Sequence, residues 1–264
     1  MVRRMDARTE IVHEVTGGGH PVVLVHAGVA DSTMWDPQVD ALAVSYCVIR
    51  YELPGYPLSP QVGGEICHHE VLAGLLDRLG VPHAHLVGAS IGGRIALDLS
   101  LARPDLVDSL VLVGTPVRDL TEPDEELRPL VEAMRSGQLE AAVEASLRAH
   151  LDGPRRAPDQ VDPALREYVR GKLELLYAQP GPRPRLRWLE PPAAERLGAV
   201  RAPTLVVVGS EETRQLLAAA GELEAGIPGA ARVVVPDAAH MVTLERAYEF
   251  NQLLLEFLER HTPG

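Results

Sequence analysis

The sequence predicts an α/β fold with a mostly parallel, doubly wound sheet and an inserted helical cap. Three observations carry this. Short apolar runs bounded by Gly or Pro recur along the chain, stretches of helical period separate them, and one long interval shows helical signals alone. Runs that are apolar on both faces read as central parallel strands covered by helices, joined by right-handed crossovers.

Residues 10–15 read as a first, more polar strand that feeds the turn Gly17-Gly18-Gly19. Four strands follow at Val22-Val23-Leu24-Val25, Cys47-Val48-Ile49-Arg50-Tyr51, His85-Leu86-Val87 and Leu110-Val111-Leu112-Val113. Thr204-Leu205-Val206-Val207-Val208 and Arg232-Val233-Val234-Val235 close the series. Between strands the period changes. Val71, Leu72, Leu75, Leu76 and Leu79 fall on one helical face, and Ile95, Leu97, Leu99 and Leu101 mark a helix buried against the sheet. Leu253, Leu254, Phe257 and Leu258 mark a C-terminal helix.

From Pro116 to Arg201 no strand is predicted. Helical segments over 127–134, 139–150 and 165–178 are separated by Pro154, Pro158 and Pro163, and Pro180-Gly181-Pro182 with Pro184 ends the last. A structureless loop of this length is rare, so the interval predicts a cap over the strand ends, where α/β sheets bind ligands. The expected division is a core of residues 1–116 and 201–264 with a cap at 117–200.

Composition excludes several function classes. The 264 residues, 46% apolar and 23% charged, suit one hydrophobic core. A net charge of −12 argues against nucleic acid, and no apolar run approaches the roughly 18 residues of a membrane span. The charged opening from Met1 to Glu10 predicts no signal peptide. Cys47 lies in an apolar run and reads as a buried thiol. Cys67 precedes His68-His69, yet no second ligand cluster at metal spacing follows, so no metal site is expected. Two unpatterned cysteines suit a reducing compartment, and the expectation is a cytoplasmic protein. The Gly17-Gly18-Gly19 turn lacks a following Lys-Ser/Thr, and no cofactor is expected.

The chemistry starts at Gly88-Ala89-Ser90-Ile91-Gly92, a G-x-S-x-G match directly after one predicted strand and directly before a predicted helix. A strained strand-to-helix turn of this kind pushes the serine oxygen outward over a helix N-terminus, which favours developing negative charge. Ser90 is the candidate nucleophile. An oxyanion hole needs two backbone N–H groups. Ile91 supplies one.

With these residues the chain resembles the α/β-hydrolase family over nearly its whole length. His26-Ala27-Gly28 stands where the family has its oxyanion loop. The resemblance implies that this loop after His26 supplies the second N–H, with Gly28 as candidate and Ala27 as alternative. Met34-Trp35-Asp36-Pro37-Gln38 looks like the first helix of esterase- and enol-lactonase-like members. Residues 50–59 occupy the place of the family's Tyr-Asp-x-Arg-Gly-x-Gly-x-Ser turn. Asp237-Ala238-Ala239-His240 follows the last strand where the family keeps its catalytic histidine. The resemblance therefore implies His240 as base and an acid after the strand at 204–208. Three residues after Gly209 that acid is Glu212, with Glu211 and Asp119 as alternatives. His26 is expected to brace its loop. His68, His69, His83, His85 and His150 are expected at the surface. Ala27, Glu52, Pro54, Pro57 and Leu58 depart from the family pattern and point to a specialised substrate or a non-hydrolytic outcome.

The implied function is a serine hydrolase that cleaves a small ester or lactone through an acyl-enzyme. Alternatives are a carbon–carbon bond hydrolase, a biosynthetic cyclase, transacylase or isomerase, and a non-enzymatic ligand receptor. Candidate substrate contacts are Ala27, Val29, Trp35, Met134, Trp188 and Met241. Arg183, Arg185 and Arg187 alternate beside Trp188 and are expected to be solvated.

Overall fold

The computed structural model describes residues 11–60, 63–118, 125–179 and 184–263. The first half runs β1 (His13–Gly17), β2 (His20–Val25), α1 (Asp36–Leu42), β3 (Tyr46–Tyr51), β4 (Glu65–Ile66), α2 (His68–Leu79), β5 (Ala84–Ala89), α3 (Ile91–Ala102) and β6 (Val107–Val113). Helices α4 (Arg128–Ser136), α5 (Leu139–Leu147) and α6 (Pro163–Tyr177) follow. The chain then returns through β7 (Arg185–Leu186), β8 (Thr204–Gly209), α7 (Arg214–Gly226), β9 (Ala231–Val235), α8 (Val242–Glu245) and α9 (Ala247–His261).

Seven strands form one sheet in the order β1-β3-β2-β5-β6-β8-β9. Only the β1–β3 pairing is antiparallel. Because successive side chains alternate across a strand, each β-strand feeds two cores at once. Val23, Val25, Leu86, Leu110 and Leu112 face one cluster, together with Leu72 of α2, Leu97 of α3 and Leu223 of α7. Val22, Leu24, Val87, Val111 and Val113 face the other, together with Leu42 of α1 and Phe250 and Leu254 of α9. Helices on both faces explain why the strands read as continuous apolar runs rather than alternating ones. Val143 and Leu147 of α5 and Val169 and Leu173 of α6 join the second cluster, so these inserted helices share its core.

Two features depart from the expectation. The interval from 116 to 201, read as strandless, holds β7, which pairs in parallel with β4 in a separate two-stranded sheet. Two residues are too short to leave a periodic signal. Helix α7 was not expected either. Its small residues and single apolar row, Leu216, Ala220 and Leu223, blunt the contrast between faces. No helix among the described residues is long and apolar enough to cross a membrane. Asp119, Arg183 and the residues before Ile11 lie outside the described ones.

Candidate active site

Ser90 occupies the step from β5 to α3, with φ 54° and ψ −119°. That left-handed value is disfavoured for a residue with a Cβ and costs of order 1–3 kcal/mol unless the surroundings enforce it. Here they do. A Cβ at Gly92 would stand 2.2 Å from the Val25 carbonyl oxygen, so the first turn of α3 rests directly on the end of β2. The Ser90 N–H donates to the Val113 carbonyl at 2.7 Å, which pins the turn to the end of β6.

The next residue of that segment, Gly114, carries the turn to the histidine. A Cβ there would lie 2.9 Å from His240 Nδ1 and 3.4 Å from Glu212 Oε2. His240 Nδ1 and Glu212 Oε2 are 2.5 Å apart, with both side chains buried. Glu212 Oε1 accepts the Thr213 N–H at 2.8 Å, so both carboxylate oxygens are held. Burial alone would raise the Glu212 pKa, but the charge and hydrogen bond of His240 outweigh it and hold it below the ordinary value. For His240 burial works downward, and the facing Glu212 carboxylate overcomes it and raises the imidazole pKa. The pair is therefore built to carry an imidazolium. With Nδ1 turned to Glu212, Nε2 is the nitrogen left to exchange protons.

Of the alternative acids, Glu211 turns away. Its carboxylate meets Arg155 Nε at 3.3 Å and Ser210 Oγ at 3.0 Å. Arg155 also donates to the carbonyls of Ser210 at 2.8 Å and Glu212 at 2.7 Å, fixing the turn that presents Glu212.

The loop expected to supply the second oxyanion donor starts at His26, which is fully buried. Its Nδ1 donates to the Ala27 carbonyl at 2.8 Å and its Nε2 accepts the Leu53 N–H at 2.9 Å. Both nitrogens are occupied by backbone, which makes His26 a brace. The Ala27 N–H points at Met34 Sδ, 3.3 Å away, which takes it out of contention as oxyanion donor. Gly28 lies next to Ile91 instead: a Cβ there would meet Ile91 Cγ2 at 3.5 Å and the Tyr56 hydroxyl at 3.3 Å.

Two groups around His240 were not anticipated. His150 sits in a π-helical turn (Arg148–Asp152) that ends α5, a local geometry often found at functional sites. Its ring lies 5.2 Å from that of His240, and its carbonyl accepts the His240 N–H at 3.1 Å. Arg156 clamps the same loop. It donates to the Asp237 carbonyl at 2.8 Å and pairs with Glu245 at 2.5 Å, whose other oxygen accepts the Ala239 N–H.

Several expected positions need correction. Trp35 is fully buried against Phe250 in the second core cluster and offers a substrate no surface. Ala27 is 1% exposed and acts through its backbone. Met134 lies 46% exposed on α4, beside Leu139 and Tyr177. Trp188 stacks under Arg94 at 4.2 Å and lines a cavity of about 290 Å³ with Arg185, Arg187 and Leu189, which none of Ser90, His240 and Glu212 lines. Val29 and Met241 meet in a shallow depression with Asp31, Tyr168 and Lys172, next to both the oxyanion and the histidine loops. His68, His69 and His85 are not surface groups but buried. Burial, with His26 and His69 nearby, takes His68 down to about 4. His85 is the second residue of the central strand β5 and bonds Ser109 Oγ at 2.8 Å and Thr262 Oγ1 at 3.0 Å.

Comparison with known proteins shows the family. A family model described as alpha/beta hydrolase fold matches residues 20–247. RutD of Azorhizobium caulinodans, whose name ascribes to it carbamate hydrolysis, is 30% identical over 258 residues, 94% of each chain. A 2-hydroxy-6-oxononadienedioate/2-hydroxy-6-oxononatrienedioate hydrolase of Burkholderia vietnamiensis is 29% identical across 92% of this chain and 88% of its own. The solved structure of a thermophilic esterase from Thermogutta terrifontis superposes with a TM-score of 0.75 at 26% identity, covering 96% of this chain and 95% of that one.

Proposed function

The chain belongs to the alpha/beta hydrolase family and is a hydrolase, and from that premise we propose that it cleaves a small ester or lactone through an acyl-enzyme on Ser90. The observation that carries the reading is the buried His240–Glu212 pair, set against Gly114 one residue beyond the carbonyl that anchors Ser90.

In this mechanism His240 Nε2 takes the Ser90 proton as Oγ attacks the acyl carbon. The carbonyl π-electrons move to oxygen, and the oxyanion accepts N–H bonds from Ile91 and Gly28 at the N-terminal end of α3. The imidazolium then protonates the leaving alkoxide and the acyl-enzyme forms. Water attacks with His240 again as base, and the tetrahedral intermediate expels Ser90 Oγ, which takes the proton back from the imidazolium as the carboxylic acid is released. Glu212 stays ionised throughout and holds the imidazole with Nε2 outward. In this reading the described residues between 125 and 200 form the cap over this site, and the depression between Val29, Met241 and α6 is its entrance.

Carbon–carbon bond hydrolysis is the second reading. It rests on the 29% identity to the Burkholderia hydrolase. The deciding experiment is intact-mass measurement after fluorophosphonate treatment of wild type and Ser90→Ala, followed by turnover of aryl esters, lactones and a vinylogous 1,5-diketone. One adduct, lost in the variant, with ester or lactone turnover is the expected result. No adduct on wild type overturns the serine mechanism, and turnover of the diketone alone moves the second reading ahead.

A further inference from the structure

The strand order brings a group of metal-ligating side chains together at the end of the sheet opposite Ser90. His20 opens β2, His83 immediately precedes β5, and Asp108 is the second residue of β6. These three strands are neighbours in the order β2-β5-β6 and run parallel, so their N-terminal ends lie side by side. Ser90 lies beyond the other end of β5, about 20 Å away at the rise of an extended strand. His20 and Asp108 are 88 residues apart, which is why no ligand spacing is visible along the chain.

The geometry is convergent. His20 Nε2 lies 2.8 Å and His83 Nδ1 2.7 Å from the same oxygen, Asp108 Oδ2. The three ligand atoms all lie within 4.8 Å of one another. Side-chain exposures of 15% for His20, 15% for Asp108 and 41% for His83 leave an approach from solvent. The floor is rigid: His85 packs against the His20 ring at 4.8 Å and is itself tied to Ser109 and Thr262.

We propose that His20, His83 and Asp108 form a site for a divalent transition-metal ion, Zn²⁺ in the first instance, that clips together the starts of three adjacent core strands. Two imidazoles and one carboxylate are a donor set for such ions, with metal–ligand distances near 2.0–2.1 Å. Ligand atoms around a tetrahedral ion stand about 3.4 Å apart, so the carboxylate withdraws by under about 1 Å from its present contacts. The two imidazole nitrogens, within 4.8 Å of each other, close by up to about 1.4 Å. The ligands sit on elements that the core already fixes, so the ion finds a nearly formed site. The site is remote from Ser90, so its effect is sought in stability, and with three protein ligands it keeps an open position for water.

The test uses untagged full-length protein, stripped with chelator and titrated with ZnCl₂ by calorimetry and thermal melting. One-to-one binding with a rise in Tm of about 5 °C at a hundredfold excess over Kd is expected. His83→Ala, an exposed position that need not disturb folding, should abolish the rise, and Asp108→Asn should weaken binding at least tenfold. Cys67→Ala controls for the one other ligand cluster among the described residues, Cys67 with His69 and Glu70, and should leave the rise intact. No Zn²⁺ binding to wild type overturns the proposal, and so does a rise that persists in His83→Ala or disappears in Cys67→Ala. Since binding and melting are read without substrate, these outcomes are independent of the serine mechanism.

Discussion

The His150 imidazole lies 5.2 Å from that of His240, and the His150 carbonyl holds the His240 backbone N–H at 3.1 Å. Its own Nδ1 donates to the Ser146 carbonyl at 3.0 Å. Burial, with His240 as the next cause, pushes His150 down to about 4. A histidine that stays neutral at working pH does not oppose the imidazolium that His240 becomes. His150→Lys is therefore expected to lower the His240 pKa. A positive charge about 5 Å away at an effective dielectric of 20 gives about 3 kcal/mol, and partial exposure reduces this to roughly one pKa unit. The acid limb of the kcat/KM profile should move to lower pH by that amount, while His150→Gln leaves it in place. An unmoved limb in the lysine variant would show that the two rings are not electrostatically coupled.

The Glu212–His240 pair makes stability and activity peak at different pH. His240 has a raised folded-state pKa, so its stabilising contribution is complete below about pH 6.5 and fades as pH climbs through that raised value. Glu212 has a lowered one, so its contribution is present above about pH 4.3 and is lost as pH falls through the folded value. The pair stabilises most between these limits, whereas the proposed mechanism needs neutral His240 and predicts activity that rises above them. Melting wild type and Glu212→Gln from pH 4 to 9 should show the largest Tm gap at mildly acidic pH. A gap that keeps widening above pH 7 would contradict the assignment.

The same variant separates two adjacent carboxylates. Glu212→Gln removes the partner that fixes the imidazole tautomer, and a loss of about 10³- to 10⁴-fold in kcat is expected. Glu211→Gln breaks a partly exposed contact with Arg155 and should change kcat by less than about threefold. Steady-state kinetics on one aryl ester decides this, and comparable losses would mean that the turn, not the carboxylate, is what matters.

How much of this was legible along the chain depended on how local each constraint is. The Ser90 elbow is contiguous because glycine is required two residues away, where Gly92 backs onto the Val25 carbonyl. Burial on both faces made β2, β5, β6 and β8 readable as apolar runs. Trp35 and His85 were misplaced because one polar or aromatic residue in such a run says nothing of which neighbours enclose it. Here those neighbours are Phe250 for one, and Ser109 and Thr262 for the other. Arg156 and His150 left no signal at all. Their roles arise where the end of α5 meets the loop after β9, and the Arg156–Asp237 bond joins residues 81 apart.

Close approach at the elbow makes one substitution diagnostic. Gly92→Ala drives a methyl group into the backbone of β2, which cannot move without displacing the central sheet, and should destabilise by about 3 kcal/mol. Gly18→Ala, with nothing within 4 Å of its Cβ, should change stability by less than about 0.5 kcal/mol. Urea unfolding of both variants provides the comparison. A Gly92→Ala protein as stable as Gly18→Ala would mean that α3 does not rest on β2 as described.

Lys172, the sole lysine of the chain, ties α6 to the loop that carries Gly28. Its Nζ meets Asp31 Oδ2 at 3.0 Å, and one turn earlier the Tyr168 hydroxyl meets Thr33 Oγ1 at 3.0 Å. Burial works against the Asp31 carboxylate, yet hydrogen bonds from Thr33 and Lys172 hold its pKa below the ordinary value, so the contact is charged at any working pH. If α6 forms one wall of the entrance, loosening it should cost substrate positioning before it costs chemistry. Lys172→Met is expected to raise KM about tenfold with kcat changed less than about threefold, and Lys172→Arg should recover most of the loss. Acetylation, which removes the charge, offers the same test on wild type, since Lys172 is the one side-chain amine to react. A drop confined to kcat would place the clasp on the oxyanion loop's geometry instead of on the entrance.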